Sequence, residues 1–65
     1  NIISSVLVAL LPAIADALAA DGEAILAGIL AEERETMVEA LRVYGLRPVA
    51  EDREEAWWSV RVARA

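Results

Sequence analysis

The order of the apolar segments is the feature that most constrains what this chain can fold into. A nearly all-apolar stretch covers residues 4–20, the pair Asp21-Gly22 follows, and a second apolar run occupies residues 23–30. Ala and Leu dominate the first stretch, and both residues favour a helix. The second run is short and has no polar alternation, which is typical of a strand buried on both faces. The order therefore predicts part of an α/β domain.

Size and composition indicate that these elements belong to a larger body. The chain has 65 residues, of which 58% are hydrophobic, and its formal net charge is −5. A free-standing domain of this size has a large surface for its volume and should be more polar. A membrane peptide, an obligate oligomer or a piece of a larger sheet domain would each explain the excess, and we favour the third. We therefore expect the chain to begin just after a strand whose own residues lie upstream.

The absence of three particular residue types excludes several kinds of site within this segment. The sequence contains no Cys, no His and no Lys. Disulfides, thiolate or imidazole metal sites, and nucleophiles activated by histidine are therefore excluded here. A Schiff-base lysine and a P-loop lysine are excluded as well. The acidic balance argues against a non-specific nucleic-acid surface, which needs clustered basic side chains.

The first predicted helix, residues 4–20, contains signals for its ends and for an irregularity. Ser4 or Ser5 could cap its first free amides. Pro12 predicts either a kink or a short first turn before a main helix. Gly22 is expected in the left-handed conformation that ends many helices. The stretch approaches the ~20 residues that span a bilayer, but its acidic residue, its proline and its many alanines favour a helix packed on a sheet.

Residues 31–44 predict a second helix, which Gly45 would close. Met37 belongs to its apolar stripe and is interpreted as core. Three glutamates occupy the first turns, where the helix dipole favours negative charge: Glu32, Glu33 and Glu35. Neighbouring helical positions point in different directions, so we interpret these glutamates as a solvated helix start and not as a metal site.

Residues 46–50 and 56–63 predict two strands that form an antiparallel hairpin across a charged turn at residues 51–55. Pro48 cannot donate to a ladder, so the first strand of the pair should lie at an edge. Alternation in the second strand places Trp58 on one face and Trp57 on the other. We interpret one tryptophan as core and the other as a cover for the edge strand or a helix, in preference to a stacking platform for a base.

Several short motifs follow one another in an order that is similar to a known family. They are Asn1-Ile2, the segment Leu10-Leu11-Pro12-Ala13-Ile14-Ala15, the turn Asp21-Gly22-Glu23, the strand end Ala27-Gly28-Ile29-Leu30, the pair Glu32-Glu33, and Glu55-Ala56-Trp57-Trp58. Together they resemble the C-terminal third of class I S-adenosylmethionine-dependent methyltransferases. The closer resemblance is to the ribosomal protein L11 methyltransferase (PrmA-type) family. The chain departs from the family pattern at Glu23, where a second glycine is usual, at Ala27, where serine is usual, and at Arg61.

The resemblance implies a fold and a place for this chain in it. The expected fold class is α/β, as a C-terminal fragment of a Rossmann-like class I methyltransferase sheet: a helix, a parallel strand, a helix and an antiparallel terminal hairpin. In that fold the last strand inserts beside the preceding parallel strand and leaves its hairpin partner at the edge. Residues 1–65 would then be the C-terminal portion of one catalytic domain, with no complete domain present and its N-terminal part missing.

The resemblance also implies an activity. The full enzyme would be cytoplasmic and would transfer methyl groups from S-adenosylmethionine to amines of a protein substrate, ribosomal protein L11, with no direct contact to nucleic acid or membrane. Asn1 would be the catalytic residue that positions the substrate amine. Residues absent from this chain would bind most of the S-adenosylmethionine, and no metal site is expected. The 65-residue segment alone is predicted to be inactive.

Three alternatives remain open from the sequence. A class I methyltransferase could act on another acceptor, such as a glutamine amide or a small molecule, although Ile2-Ile3 lacks the Pro-Pro-aromatic sequence expected for an amide. A small helical interaction or membrane-active module would be helical throughout, whereas our prediction requires strands at residues 23–30 and 46–63. A non-catalytic α/β fragment of unrelated function is the third alternative.

Overall fold

The computed structural model describes residues 2–65, with side chains from residue 5 onward. Two helices and three strands follow one another in the predicted order. They are α1 (Ile2–Ala17), β1 (Glu23–Leu30), a 3-10 turn (Ala31–Glu33), α2 (Arg34–Val43), β2 (Leu46–Glu54) and β3 (Trp57–Arg64). The interpretation as an entirely helical module is therefore wrong. In the part of the chain that is described, no helix is long and apolar enough to cross a membrane.

The three strands form one sheet in the order β1-β3-β2, and both pairings are antiparallel. The last strand thus lies between the other two, and β2, which carries Pro48, lies at an edge as predicted. Strand β1 pairs with β3 alone among the residues described, so a parallel neighbour for β1 stays a prediction. The register between β1 and β3 shifts between Leu26 and Ile29. Gly28 adopts a φ of 74° there, a conformation that glycine tolerates and that suits a β-bulge.

The core lies on one face of the sheet, beneath the two helices. Alternate residues of β3 face it, and helix residues complete it; the buried set is Leu11, Leu26, Ile29, Met37, Leu41, Leu46, Trp58, Val60 and Val62. The core assignment of Met37 is confirmed. The expectation that β1 is buried on both faces is wrong for these residues, because Ile25 is 74% exposed. Both helices cover the same side of the sheet, so the other side, here called the open face, is uncovered.

Helix α1 departs from the predicted details at both ends and at its proline. It begins at Ile2, so Ser5 lies within the helix instead of capping it. Helix α1 also runs through Pro12 without the predicted short first turn. Pro12 lies on the exposed side, where the carbonyl that loses its helical partner can bond to water. Gly22 does not adopt a left-handed conformation, whereas Gly45 does, with a φ of 73°.

The charged run after Ala50 is also structured differently from the prediction. Strand β2 extends to Glu54, and the turn consists of Glu55 and Ala56. A positive φ of 56° at Glu55 allows this tight connection. Alternation along the strand sends Glu51 to the same face as its partner Val60 and sends Asp52 to the open face. The run was interpreted as a solvated turn because it is polar, but a strand at an edge needs little apolar surface.

Adjacent leucines of α1 provide a test of this packing. Leu11 is fully buried, whereas Leu10 is 48% exposed. We expect Leu11→Ala to lower the free energy of unfolding by about 2–5 kcal/mol, because it leaves a cavity beneath the helix. Leu10→Ala is the matched control and should cost under about 1 kcal/mol. Urea unfolding of the protein that contains this segment measures both, and equal losses would contradict the orientation of α1.

Candidate functional site

The sheet has two distinct ends. At one end β1 finishes at Leu30, and the β2–β3 turn lies beside it, because the Ala31 amide donates a hydrogen bond of 2.7 Å to the Ala56 carbonyl. We call this the hairpin end. At the opposite end, Glu23 pairs with Ala63, and Leu46 pairs with Arg64.

Helix α1 runs between these two ends. Its last turn lies at the opposite end, because Arg64 donates hydrogen bonds to the Leu18 carbonyl there. The helix has 16 residues, a length of about 24 Å, and the eight residues of β1 span about 26 Å. The backbone of the first turn of α1 therefore lies toward the hairpin end. Asn1, the predicted catalytic residue, lies outside the described residues, but it is bonded to Ile2 at the start of that turn.

A shallow cleft lies on the open face beside the hairpin end. Glu54 pairs with Trp57 and Asp52 pairs with Ser59 across β2 and β3, and the bulge at Gly28 forms the opposite wall. Space remains open where a Cβ at residue 28 would lie. Two carboxylates and a half-exposed indole favour a positively charged group over a phosphate or another anion. This cleft is therefore suited to an ammonium or guanidinium group.

On the other face, a polar cluster ties the start of α2 to the edge strand. The Arg34 guanidinium donates through Nε and Nη2 to the two carboxylate oxygens of Glu51, at 2.6 and 2.9 Å. The indole Nε1 of Trp58 donates to the same carboxylate at 3.0 Å, and the guanidinium lies 5.9 Å from the centre of the indole ring. We call these three residues the Arg34 clasp. A bidentate ion pair with a further donor is more directional than a simple surface pair.

The Arg34 clasp changes the protonation of its members. The hydrogen bonds from Arg34 lower the pKa of the Glu51 carboxyl below its ordinary value, against the effect of partial burial, and the Trp58 indole lowers it further. The same contact raises the pKa of Arg34. The pair is thus charged at neutral pH and holds the edge strand against the first turn of α2.

The two tryptophans occupy different environments. Trp58 is 3% exposed and belongs to the core, whereas Trp57 is 50% exposed on the open face. The predictions that one tryptophan belongs to the core and that the two side chains point to opposite faces of the sheet are confirmed.

No metal centre is visible in residues 2–65, where no group of three or more acidic, cysteine or histidine side chains comes together. The residues present also do not fit a nucleoside cofactor by themselves. Such a site needs a glycine-rich turn that follows a strand and opens a helix. Gly22 and Gly45 each lead from a helix into a strand, and Gly28 lies within β1. The described residues thus provide one end of a sheet and the start of a helix, but not the glycine-rich turn that a nucleoside cofactor needs.

Sequence reasoning missed the residues that fix this arrangement. Glu51 was predicted in the charged turn at residues 51–55, and no role was predicted for Arg34 or Arg64. The partner of Arg64 had no signal, since it lies 46 residues away.

Comparison with known proteins provides a family and a fold. The model of the family "Ribosomal protein L11 methyltransferase (PrmA)" matches residues 1–65. A crystal structure described as ribosomal protein L11 methylase from Lactobacillus delbrueckii subsp. bulgaricus is similar to this chain with a TM-score of 0.87 and 23% sequence identity. The match covers 92% of this chain and 31% of that one. No curated protein sequence matches this chain. The chain therefore has the fold of about a third of that methylase.

The Arg34 clasp predicts a dependence of stability on pH. Because the pKa of Glu51 is lower in the folded state than in the unfolded state, the stabilisation is present above the unfolded pKa of about 4.3. It is lost as the pH falls through the lower, folded pKa. We expect Glu51→Gln to lower the melting temperature at pH 7. The difference in melting temperature between the variant and the wild type should become smaller as the pH falls below about 4.

The matched control is Asp52→Asn, which removes the same charge from the open face at the next position. It should leave the melting temperature at pH 7 nearly unchanged. An effect of Glu51→Gln that is constant from pH 7 to pH 3 would contradict the stabilising role of the charged pair.

Proposed function

The chain belongs to the ribosomal protein L11 methyltransferase (PrmA) family, and from this premise we propose that the protein containing it transfers methyl groups from S-adenosylmethionine to amines of ribosomal protein L11. The observation that carries the proposal is the family match over all 65 residues. The similar fold of a methylase and the placement of α1, β1 and the hairpin turn support it.

We propose that residues 1–65 are the C-terminal portion of one Rossmann-like catalytic domain and act with the rest of it. The chain spans only 31% of the similar methylase, and the open face of the sheet leaves Ile25 uncovered. Residues outside this chain would then cover the part of that face around Ile25, away from the cleft at the hairpin end, supply a parallel neighbour for β1 and bind S-adenosylmethionine. The proposed location of the enzyme is the cytoplasm, with a ribosomal protein as its partner and with no direct contact to nucleic acid or membrane.

The proposed role of Asn1 is to position the substrate amine. S-Adenosylmethionine, bound by residues outside this chain, would supply an electrophilic methyl group carried on a sulfonium. A neutral amine must be held in line with its lone pair directed at that carbon. The carbonyl oxygen of an asparagine side chain can accept a hydrogen bond from the amine N–H and fix this orientation.

The cleft on the open face supports an amine acceptor over an amide. Asp52 and Glu54 lie beside the half-exposed Trp57, at the same end of the sheet toward which α1 begins. An amine is protonated in water and is attracted by these carboxylates, whereas a glutamine amide is neutral. This charge distribution favours a lysine-containing or amino-terminal segment of a protein substrate.

Substitution of Asn1 in the full-length enzyme tests the proposal. We expect Asn1→Ala to lower kcat for methylation of ribosomal protein L11 by about 10- to 100-fold, because the amine loses its orienting acceptor. The affinity for S-adenosylmethionine should stay the same. Mass spectrometry of the methylated protein gives the rate, and titration calorimetry gives the affinity.

The matched control is Asp16→Asn, which changes an exposed polar residue of the same helix. It should retain the wild-type rate. An unchanged kcat in Asn1→Ala would refute the role of Asn1, and the absence of any methyl transfer by the unmodified enzyme would refute the function itself.

The cofactor assignment has its own test. Titration of the isolated 65-residue chain with S-adenosylmethionine should release no heat, because the described residues form no nucleoside site. The full-length enzyme is the positive control. Saturable binding to the short chain would show that the cofactor contacts lie within it.

A further inference from the structure

We propose that the cleft on the open face binds a lysine or arginine side chain of the protein substrate, one other than the amine that is methylated. The inference rests on the proposed function, because methylation of a protein would bring a polypeptide to this enzyme. The cleft has a volume of about 200 Å³, which leaves room for one long side chain. Its walls are formed by Asp52 and Glu54 of β2, by Trp57 of β3 and by the bulge at Gly28.

The two carboxylates of the cleft repel each other across a short distance. They lie two positions apart on one face of β2, with their Cα atoms about 7 Å apart. Their partners across the strands, Ser59 and Trp57, are uncharged. Arg53 lies between them in sequence, but alternation directs it to the other face, and its Nε donates to the Glu55 carbonyl at 2.9 Å. The arrangement thus concentrates negative charge that its neighbours do not neutralise.

The arginines of this chain are all engaged elsewhere. The sequence has no Lys, and its six basic residues are arginines. Within the described residues, three of them pair with carboxylates and three donate to backbone carbonyls: Arg34 with Glu51, Arg42 with Glu39, Arg61 with Glu23, Arg47 with the Arg64 carbonyl, Arg53 with the Glu55 carbonyl and Arg64 with the Leu18 carbonyl. A cation from outside the chain would therefore be attracted by both carboxylates of the cleft without displacing an existing partner.

The indole of Trp57 suits a side chain that is partly apolar. It is 50% exposed, and a cation over the face of an indole is attracted by the ring. Lysine and arginine also carry an apolar stem that can pack along such a surface. Gly28 leaves the facing wall low, because the space where a Cβ would lie is open. The cleft therefore fits the stem and the charged end of a basic side chain better than it fits an inorganic cation.

The same charges argue that methylation itself takes place elsewhere. Carboxylates beside an amine raise its pKa and keep it protonated, whereas the amine that attacks the methyl group must be neutral. The cleft is therefore suited to a recognition contact with a neighbouring basic residue of the substrate. Phosphate groups would be repelled by the carboxylates, which disfavours a nucleic acid as the occupant.

Steady-state kinetics of the full-length enzyme with ribosomal protein L11 test the inference. We expect the double variant Asp52→Asn/Glu54→Gln to raise KM for L11 about three- to tenfold and to leave kcat unchanged, because it weakens binding alone. Added salt should raise the KM of the wild type more than that of the variant. Trp57→Leu should raise KM about two- to fivefold, and Trp57→Phe, which retains a ring, should raise it less.

The matched control is the double variant Asp16→Asn/Asp21→Asn. It makes the same change of net charge at exposed positions near the opposite end of the sheet, and it should retain the wild-type KM. Both double variants should keep the wild-type melting temperature, because the carboxylates of the cleft have no partner within the described residues to lose.

The outcomes separate the inference from the proposed function. Methylation of L11 with a wild-type KM in the cleft double variant would overturn the inference and leave the function intact. A fall in kcat alone would overturn it too, and so would an equal rise of KM in the control, which would reflect net charge. A lower melting temperature of the cleft variant would mean that residues of the enzyme itself fill the cleft, against the inference. If the wild-type enzyme does not methylate L11, the proposed function fails and the inference fails with it.

Discussion

The burial of one face of β3 is the constraint on which the rest of this structure depends. Trp58, Val60 and Val62 lie at alternate positions of the strand and are all buried, so a single face of β3 forms the floor of the core. The same strand provides the hydrogen-bonding partner for both of the others. Helices α1 and α2 then have one continuous apolar surface to pack on, with Leu11, Met37 and Leu41 facing it.

Charge is distributed around this core according to the two-residue period of the strands. On the helix side, Glu51 is neutralised by Arg34 and bound by the Trp58 indole. On the open face, Asp52 and Glu54 lie beside Trp57. A continuous run of charged residues in the sequence thus contributes to the Arg34 clasp on one face and lines an acidic cleft on the other. The carboxylate of the first group is engaged within the chain, whereas those of the second line an open cleft.

Much of the fold could be predicted from the sequence, since its signals are local. The helix-forming Ala and Leu, the apolar run of β1 and the alternation in β3 were sufficient for element type and order, and Pro48 indicated the edge strand. Element ends were less accurate: α1 begins earlier than expected, and β2 extends into the charged run. The extension of β2 depends on its pairing with β3 as far as Trp57, which the local composition of the charged run does not show.

The candidate site was less accessible to sequence reasoning. The role predicted for Asn1 rests on resemblance to a family alone, and no local pattern indicated that Arg64 would donate to the Leu18 carbonyl. Burial on one side of β1 also could not be distinguished from burial on both, because an apolar run has the same composition in either case.

The order β1-β3-β2 has a consequence for how the chain is made. The central strand is synthesised after both of its neighbours, so β1 and β2 leave the ribosome with no partner from this sheet until Trp57 and the residues after it emerge. Helices can form early from local contacts, but these pairings must wait and then close across the chain. A premature stop just before Trp57 would therefore remove one strand from the sequence and leave two without the ladder that joins them.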